Sequence, residues 1–551
     1  MFIYKKPPRS HALGEPLRHE NHARPRTRRD FIAAGFLSGP ALVMAPAWLG
    51  ALLKANRANA TIPPLDPDIA ALVTPATECD VPGSGIGLPF ICFDLAGGAN
   101  LVGSEVIVGQ QGGAGVLNPQ TNFLTTAGYG KLGVPGNQVP SSSANTDASL
   151  GLLWHADGAI KRGIMSMISP TAAAGTNGAV ICAMSQNDTQ SNPHNPMYGI
   201  AMAGRKGQLL QLIGTQSSVS GGNSMAPMEL IVPALQPSTI SRPSDAVSLV
   251  PMPPGGGTQD PLAVSVLESQ TRISGGTGLY SGGSGGEGAF GGGLGAPVQL
   301  LADPVNDAAL KNQVRCAYVK SANTANQFGD PSALDPTKDS FITSIATSFG
   351  ANAFMDSDFA KTATIMKLVM NGLAGAGTIT MGGYDYHDGT RATGETRNFK
   401  AGQMIGAVLQ YASLLGRPVM IYVFSDGSLN SNSMVDSSVA GRGKLGWQGD
   451  NSSVASTFFL AYSPKGRPAL RGAAGAQQIG AFTADGSVVS TSSPAANSVD
   501  SVVQVLLLNY MGLSGSDPNF ASVFQSWTGQ SQALGSASQL AGLTVFQPIY
   551  P

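Results

Sequence analysis

Thr378-Ile379-Thr380-Met381, followed by Gly382-Gly383-Tyr384-Asp385-Tyr386-His387-Asp388-Gly389, is a short β-branched run that halts at paired glycines and a polar, tyrosine-containing segment. A strand is expected over 378–381, because β-branched side chains suit a pleated surface and Gly-Gly ends it. A long helix is expected from about Glu395 to Leu415. After it a second apolar run, Val419-Met420-Ile421-Tyr422-Val423-Phe424, ends in Ser425-Asp426-Gly427-Ser428. Strand, helix and strand in this order predict a right-handed crossover that leaves both strand ends on one edge of a parallel sheet. Asp385, His387 and Asp426 then share that edge. Two carboxylates and an imidazole suit a divalent Zn, Mn or Mg ion, which would polarise a substrate oxygen or acidify bound water. The plain alternative is that Asp385 and Asp426 cap turns.

Upstream, Leu88-Pro89-Phe90-Ile91-Cys92-Phe93-Asp94-Leu95 is an apolar run of the kind buried on both faces of a sheet, and it ends at Ala96-Gly97-Gly98-Ala99-Asn100. Open α/β sheets place their sites at such carboxyl edges. Ala179 to Met184 predicts another buried strand. It runs into Ser185-Gln186-Asn187-Asp188-Thr189-Gln190-Ser191-Asn192-Pro193-His194, which makes His194 a candidate catalytic residue and Ser185, Thr189 and Ser191 candidate nucleophiles by neighbourhood. The alternative is an Asn/Pro turn whose histidine caps a helix. Helical patterns are expected over 303–320 and 359–374, and a short helix or strand over 160–167. Residues 109–150 read as a long surface excursion, and the Gly-Gly repeats of 273–296 as a flexible insertion without a phosphate-loop lysine.

Among 551 residues only 12% are charged, 71 are glycine and 42% are hydrophobic, so the chain can bury a sizeable core and is not globally disordered. Residues 1–60 hold ten Lys/Arg against three Asp/Glu, which leaves the remainder acidic. No basic cluster recurs downstream to track phosphates, so no nucleic-acid partner is expected. Thr27-Arg28-Arg29-Asp30-Phe31-Ile32 matches a twin-arginine export signal, with Arg28 and Arg29 as the pair the export machinery reads. The apolar stretch 31–53 is interrupted by glycine and proline, which argues against a permanent membrane span, and Ala58-Asn59-Ala60 offers a cleavage site. The expected organisation is a signal peptide (1–60), a linker (61–87) and a single large domain (88–551), located in the periplasm or outside the cell. Cys79, Cys92, Cys182 and Cys316 show no metal-site spacing. A Cys79–Cys92 bridge and buried free thiols both remain open.

Taken together, the twin-arginine leader, LAGGAN (95–100), GGYDYHDG (382–389), GETRNFKAG (394–402) and YVFSDGS (422–428) resemble an exported bacterial family of uncharacterised proteins in the alkaline-phosphatase-like superfamily. The resemblance implies a central, mostly parallel sheet flanked by helices, with Gly-rich insertions. It also implies that Asp385, His387 and Asp426 hold a divalent metal and that small phosphate or sulfate esters are hydrolysed. The chain departs from the family pattern at two places: Asn100 replaces the acidic residue of the first turn, and 441–453 lack the late Asp-His. His194 and Asp450 can substitute in part. A second expectation is therefore a non-catalytic envelope or secretion-associated binding protein that keeps the fold and engages an envelope protein.

Overall fold

Phe90–Leu95 forms β1, and all six of its residues are buried. The computed structural model describes residues 65–72, 87–112, 118–185, 192–249, 331–472 and 476–550, with isolated positions between 268 and 326. β1 is the middle of an eight-stranded sheet, whose other strands are β2 (Thr176–Cys182), β3 (Leu210–Gly214), β4 (Ser238–Thr239), β5 (Ala374–Met381), β6 (Val419–Phe424), β9 (Ser456–Tyr462) and β10 (Gln478–Ile479). β7 (Leu429–Asp436) and β8 (Lys444–Asp450) form a separate antiparallel hairpin. The sheet order is β10-β2-β9-β6-β1-β5-β3-β4. Every pairing is parallel except those of β9 with its two neighbours.

Alternation along β1 sets the two cores. Ile91, Phe93 and Leu95 pack on one face with α1 (Ala159–Met167), α2 (Ser357–Met370) and α3 (Ala392–Leu415). Phe90 and Cys92 pack on the other with α4 (Val499–Leu513). Side chains two apart on a strand share a face, and burying each apolar one is worth about 1.5–3 kcal/mol. The helices begin where local chemistry allows. Asp356 accepts Asp358 N–H and Phe359 N–H at the start of α2, and Ser498 accepts Ser501 N–H at the start of α4. The first turn of α3 is capped from a distance: Asp436, at the end of β7, accepts Arg391 N–H and Ala392 N–H at 2.9 and 3.1 Å.

The expected strand, helix and strand over 378–428 are present, but β1 lies between β5 and β6, paired to both in register (Leu95 to Met381, Asp94 to Phe424). A non-sequential neighbour is ordinary for a parallel sheet, since crossovers can skip a position. Three carboxyl-terminal loops, at 96–100, 382–390 and 425–428, therefore leave the same edge side by side.

Several expectations change in detail. Residues 160–167 are helical, and the helix expected to reach Ala374 stops at Met370, after which Ala374 opens β5. Residues 118–150 are not a mere surface excursion: Tyr129, Leu132, Val134 and Leu150 are buried in the main core, and the Tyr129 hydroxyl donates to Val108 O at 2.8 Å. Cys92 and Cys182 are buried and free, so Cys92 is not bridged to Cys79, while Cys316 is disulfide-bonded. No helix among the described residues is long and apolar enough to cross a membrane. The Arg28-Arg29 pair, the 273–296 insertion and most of 303–320 lie outside the described residues.

Candidate functional site

The loop after β5 is built on a two-residue alternation. Tyr384 and Tyr386 are buried while Asp385 and His387 are exposed. Each tyrosine is tied to α3: Tyr384 Oη–H donates to Arg397 O at 2.9 Å, and Tyr386 Oη–H to Asn398 Oδ1 at 3.1 Å. Period-two spacing puts the anchors inward and the polar side chains outward on one face.

Asp385 Oδ1 and His387 Nε2 are 2.6 Å apart, with 47% and 43% of their side chains exposed. Asp450, at the end of β8, completes the group: one ligand atom from each of Asp385, His387 and Asp450 falls within 4.8 Å of the others. Ligand bonds of about 2.0–2.2 Å place two ligands of one Zn ion at most about 4.4 Å apart, so any adjustment needed is small for exposed side chains. Carboxylate oxygens and one imidazole suit Zn or Mn, and Mg when water fills the remaining positions.

Asp450 reaches this position because β8 is stitched to the same loop. Gly389 N–H donates to Trp447 O at 3.1 Å, and Trp447 N–H to Thr390 O at 3.0 Å. Beneath this seam lies a buried charge network. Glu395 Oε1 accepts Lys444 Nζ at 2.8 Å and Arg391 Nε at 2.9 Å, and Glu395 Oε2 accepts Arg162 Nη2 at 2.7 Å. Arg391 also stacks on Trp447, 4.4 Å from the ring centroid. Burial alone would raise the Glu395 carboxyl, but Arg391 and then Lys444 hold it below the usual range. These ion pairs join α3, β8 and α1, and through β8 they fix Asp450.

Asp426, expected to complete the metal set, is placed differently. It is buried, Oδ1 accepts Gly97 N–H at 2.9 Å and Oδ2 accepts Asn223 Nδ2 at 3.1 Å. Its neighbour Ser425 Oγ accepts Gly98 N–H and Ala99 N–H at 3.0 and 2.8 Å. Ser425 and Asp426 thus fasten the LAGGAN turn to the end of β6. Gly97 has φ +126°, and a Cβ there would lie 2.4 Å from Asp385 N. Only glycine permits both that backbone angle and that approach.

Asn100, at the position where the resemblance called for an acid, is buried and points away from solvent. Its Nδ2 donates to Leu429 O at 2.9 Å and its Oδ1 accepts Val102 N–H at 3.2 Å, so the amide is used in holding the turn. His194 is buried against Phe424, with Nε2 2.9 Å from Ser185 Oγ and Nδ1 without a hydrogen-bond partner among the described residues. Burial pushes its imidazole down to about 3, so it is neutral. Ser185 Oγ also donates to Asp426 O at 3.1 Å, and Asn192 Nδ2 donates to the same carbonyl. His194 is therefore joined to the β6 turn through Ser185, beneath the surface rather than within the exposed group of Asp385, His387 and Asp450. Thr189 and Ser191 lie outside the described residues.

Asp94 lies inside an apolar run, where a lone carboxylate is itself a signal of a buried polar role that periodicity alone does not assign. It is fully buried. Oδ2 accepts Asn223 N–H and Ser224 N–H at 2.6 and 2.9 Å, and Oδ1 accepts Ser224 Oγ–H at 3.3 Å. Burial first, with the charge of Asp426 adding, pushes its carboxyl up to about 7 against the lowering effect of the Ser224 N–H bond. A comparison of the chain with family models, curated proteins and solved structures finds no match.

Proposed function

We propose that this chain is an exported, metal-dependent hydrolase of phosphate or sulfate esters with an alkaline-phosphatase-like fold, and that Asp385, His387 and Asp450 hold its cation. The observation that carries the reading is the meeting of these three side chains, from two separate elements, on the carboxyl edge of a mostly parallel sheet. Three protein ligands with open positions are the usual arrangement of a catalytic rather than a structural ion. A divalent ion there would act as a Lewis acid on an ester oxygen or lower the pKa of bound water. The residues of the chain do the positioning. Tyr384 and Tyr386 hold the loop, Ser425 and Asp426 hold the turn against it, and the Glu395 network holds Asp450.

A non-catalytic binding protein with the same fold is the second reading, favoured by one observation: Asn100 and Ser185 are both buried and engaged in internal hydrogen bonds. Metal content separates the two. Protein purified after export should contain Zn or Mn by elemental analysis and should cleave p-nitrophenyl phosphate or p-nitrophenyl sulfate. Asp385→Asn, His387→Ala and Asp450→Asn should each lower the bound metal and the metal-dependent rise in melting temperature, since a ligand of the folded state stabilises it by mass action. Protein with no bound metal and no ester cleavage would leave the binding reading standing.

A further inference from the structure

We propose that the outer edge of β10 is a peptide-binding site, which takes an extended, uncharged segment of a partner protein by strand addition. This stands independently of any cation at Asp385. β10 is the last strand on its side of the sheet and pairs with β2. Val180 N–H donates to Gln477 O at 2.8 Å, and the register sets Gln478 opposite Val180 and Ile479 opposite Ile181. In a parallel ladder this phase turns the N–H and C=O of Ile479 toward β2 and those of Gln478 away from it. Neither backbone group of Gln478 has a hydrogen-bond partner among the described residues, although the residue is only 8% exposed. Buried backbone groups are nearly always paired, so an unpaired donor and acceptor side by side call for a ligand or water.

Gln478, Ile479 and Gly480 line a cavity of about 390 Å³, whose other walls include Ser493 and the end of the helix Ala537–Leu543. Ser493 adds a third unpaired group, since its Oγ is buried without a hydrogen-bond partner among the described residues. The lining sets the chemistry of the occupant. Arg471 is the one charged residue among the described ones that line the cavity, and it is already engaged: Nη1 and Nη2 donate to Asp517 at 2.5 and 2.7 Å, and Nε to Phe546 O at 2.7 Å. No free charge is left to draw an acid or a base. Gly472, Ala476, Ala541 and Gly542 give low walls that suit small side chains. An added strand exchanges both N–H···O bonds with a residue such as Gln478, which is how an extended peptide joins an open sheet edge. At about 3.3 Å per residue, the row from Gln478 to Gly480 takes two or three residues of such a peptide.

The test titrates the exported protein with two acetylated and amidated pentapeptides, Gly-Ala-Ser-Ala-Gly and Gly-Val-Thr-Val-Gly, by ligand-observed NMR. Amide hydrogen exchange over 476–482 is followed by mass spectrometry in parallel. At least one peptide should bind with a Kd below about 1 mM and slow exchange in that segment. The same sequence methylated at every backbone nitrogen should not bind, because it has no donor for Gln478 O. Gly542 lies in the helix Ala537–Leu543 with open space where a Cβ would stand, so Gly542→Leu should fill the cavity wall without strain. It should weaken binding roughly 10-fold or more by obstruction and leave the melting temperature unlowered. Ser493→Ala should weaken binding roughly 2- to 10-fold, the loss of one hydrogen bond. Metal content and ester cleavage should be unchanged in both variants. Failure of both peptides to bind would overturn the inference, as would peptides that bind Gly542→Leu as tightly as the wild type or leave exchange over 476–482 unaltered.

Discussion

Replacing Glu395 by Gln should destabilise the protein by about 3–5 kcal/mol, the usual result of leaving buried charge uncompensated. The side chains of Glu395, Arg391 and Lys444 are 3%, 1% and 0% exposed, so solvent screens them little. Glu395 is the acceptor shared by Arg391, Lys444 and Arg162, and the amide would leave three cations facing one another with one carboxylate fewer. The substitution is isosteric, so the loss measures charge and not volume. Lys444→Met in the same background should recover part of it, because one of the three cations is then gone, with a coupling of about 0.5–3 kcal/mol in the double-mutant cycle. The pH dependence adds a second readout. Glu395 has a depressed carboxyl in the folded state, so its contribution is present above its unfolded value and is lost as pH falls through the folded one. The wild type should therefore lose more stability than Glu395→Gln on acidification below about pH 4.5. Denaturant unfolding followed by tryptophan fluorescence measures both, since Trp447 stacks on Arg391. A loss under about 1 kcal/mol at pH 7, or an unchanged acid limb, would refute the claim that this network is a principal brace of the site.

Other substitutions probe the edge separately. Gly97→Ala should lower stability and metal affinity together, because its Cβ would lie 2.4 Å from Asp385 N at a φ of +126°; metal titration beside thermal melting checks this, and a neutral result would mean that the turn and the loop move independently. Asp94 has a carboxyl raised from 3.8 to about 7, so the unfolded chain releases its proton first and stability should fall as pH rises between those values. Asp94→Asn can keep the two N–H bonds on its oxygen and donate to Ser224 Oγ, so it should flatten that slope, and a stability curve unchanged from wild type would sink the assignment. For export, changing Arg28 and Arg29 together to Lys should leave precursor in the cytoplasm; normal export with leader removal, seen by cell fractionation, would show that the pair is not the signal.

Local pattern was enough to find the strands and the edge. Largely apolar runs at 90–95 and 419–424, each giving way to a turn rich in glycine or serine, mark buried strands whatever they pair with, because a sheet covered on both faces favours apolar residues at successive positions. The alternation Tyr384-Asp385-Tyr386-His387 also carries its own orientation, two anchors inward and two polar side chains outward. The same logic has no purchase on partners that are distant along the chain. Asp450 joins Asp385 and His387 because a hairpin, hidden in the Ser/Asn-rich stretch after Asp426, folds back onto residues 389–390. Asp426 and Asn100 look like edge ligands in one dimension, yet both are buried once β1 is inserted between β5 and β6. Whether a carboxylate faces solvent or braces a turn depends on which backbone N–H groups surround it, and the N–H of Gly97 is brought to Asp426 and that of Asn223 to Asp94 only when the whole sheet is assembled. Periodicity encodes the face on which a residue lies, whereas the burial of the complete chain chooses what that face meets.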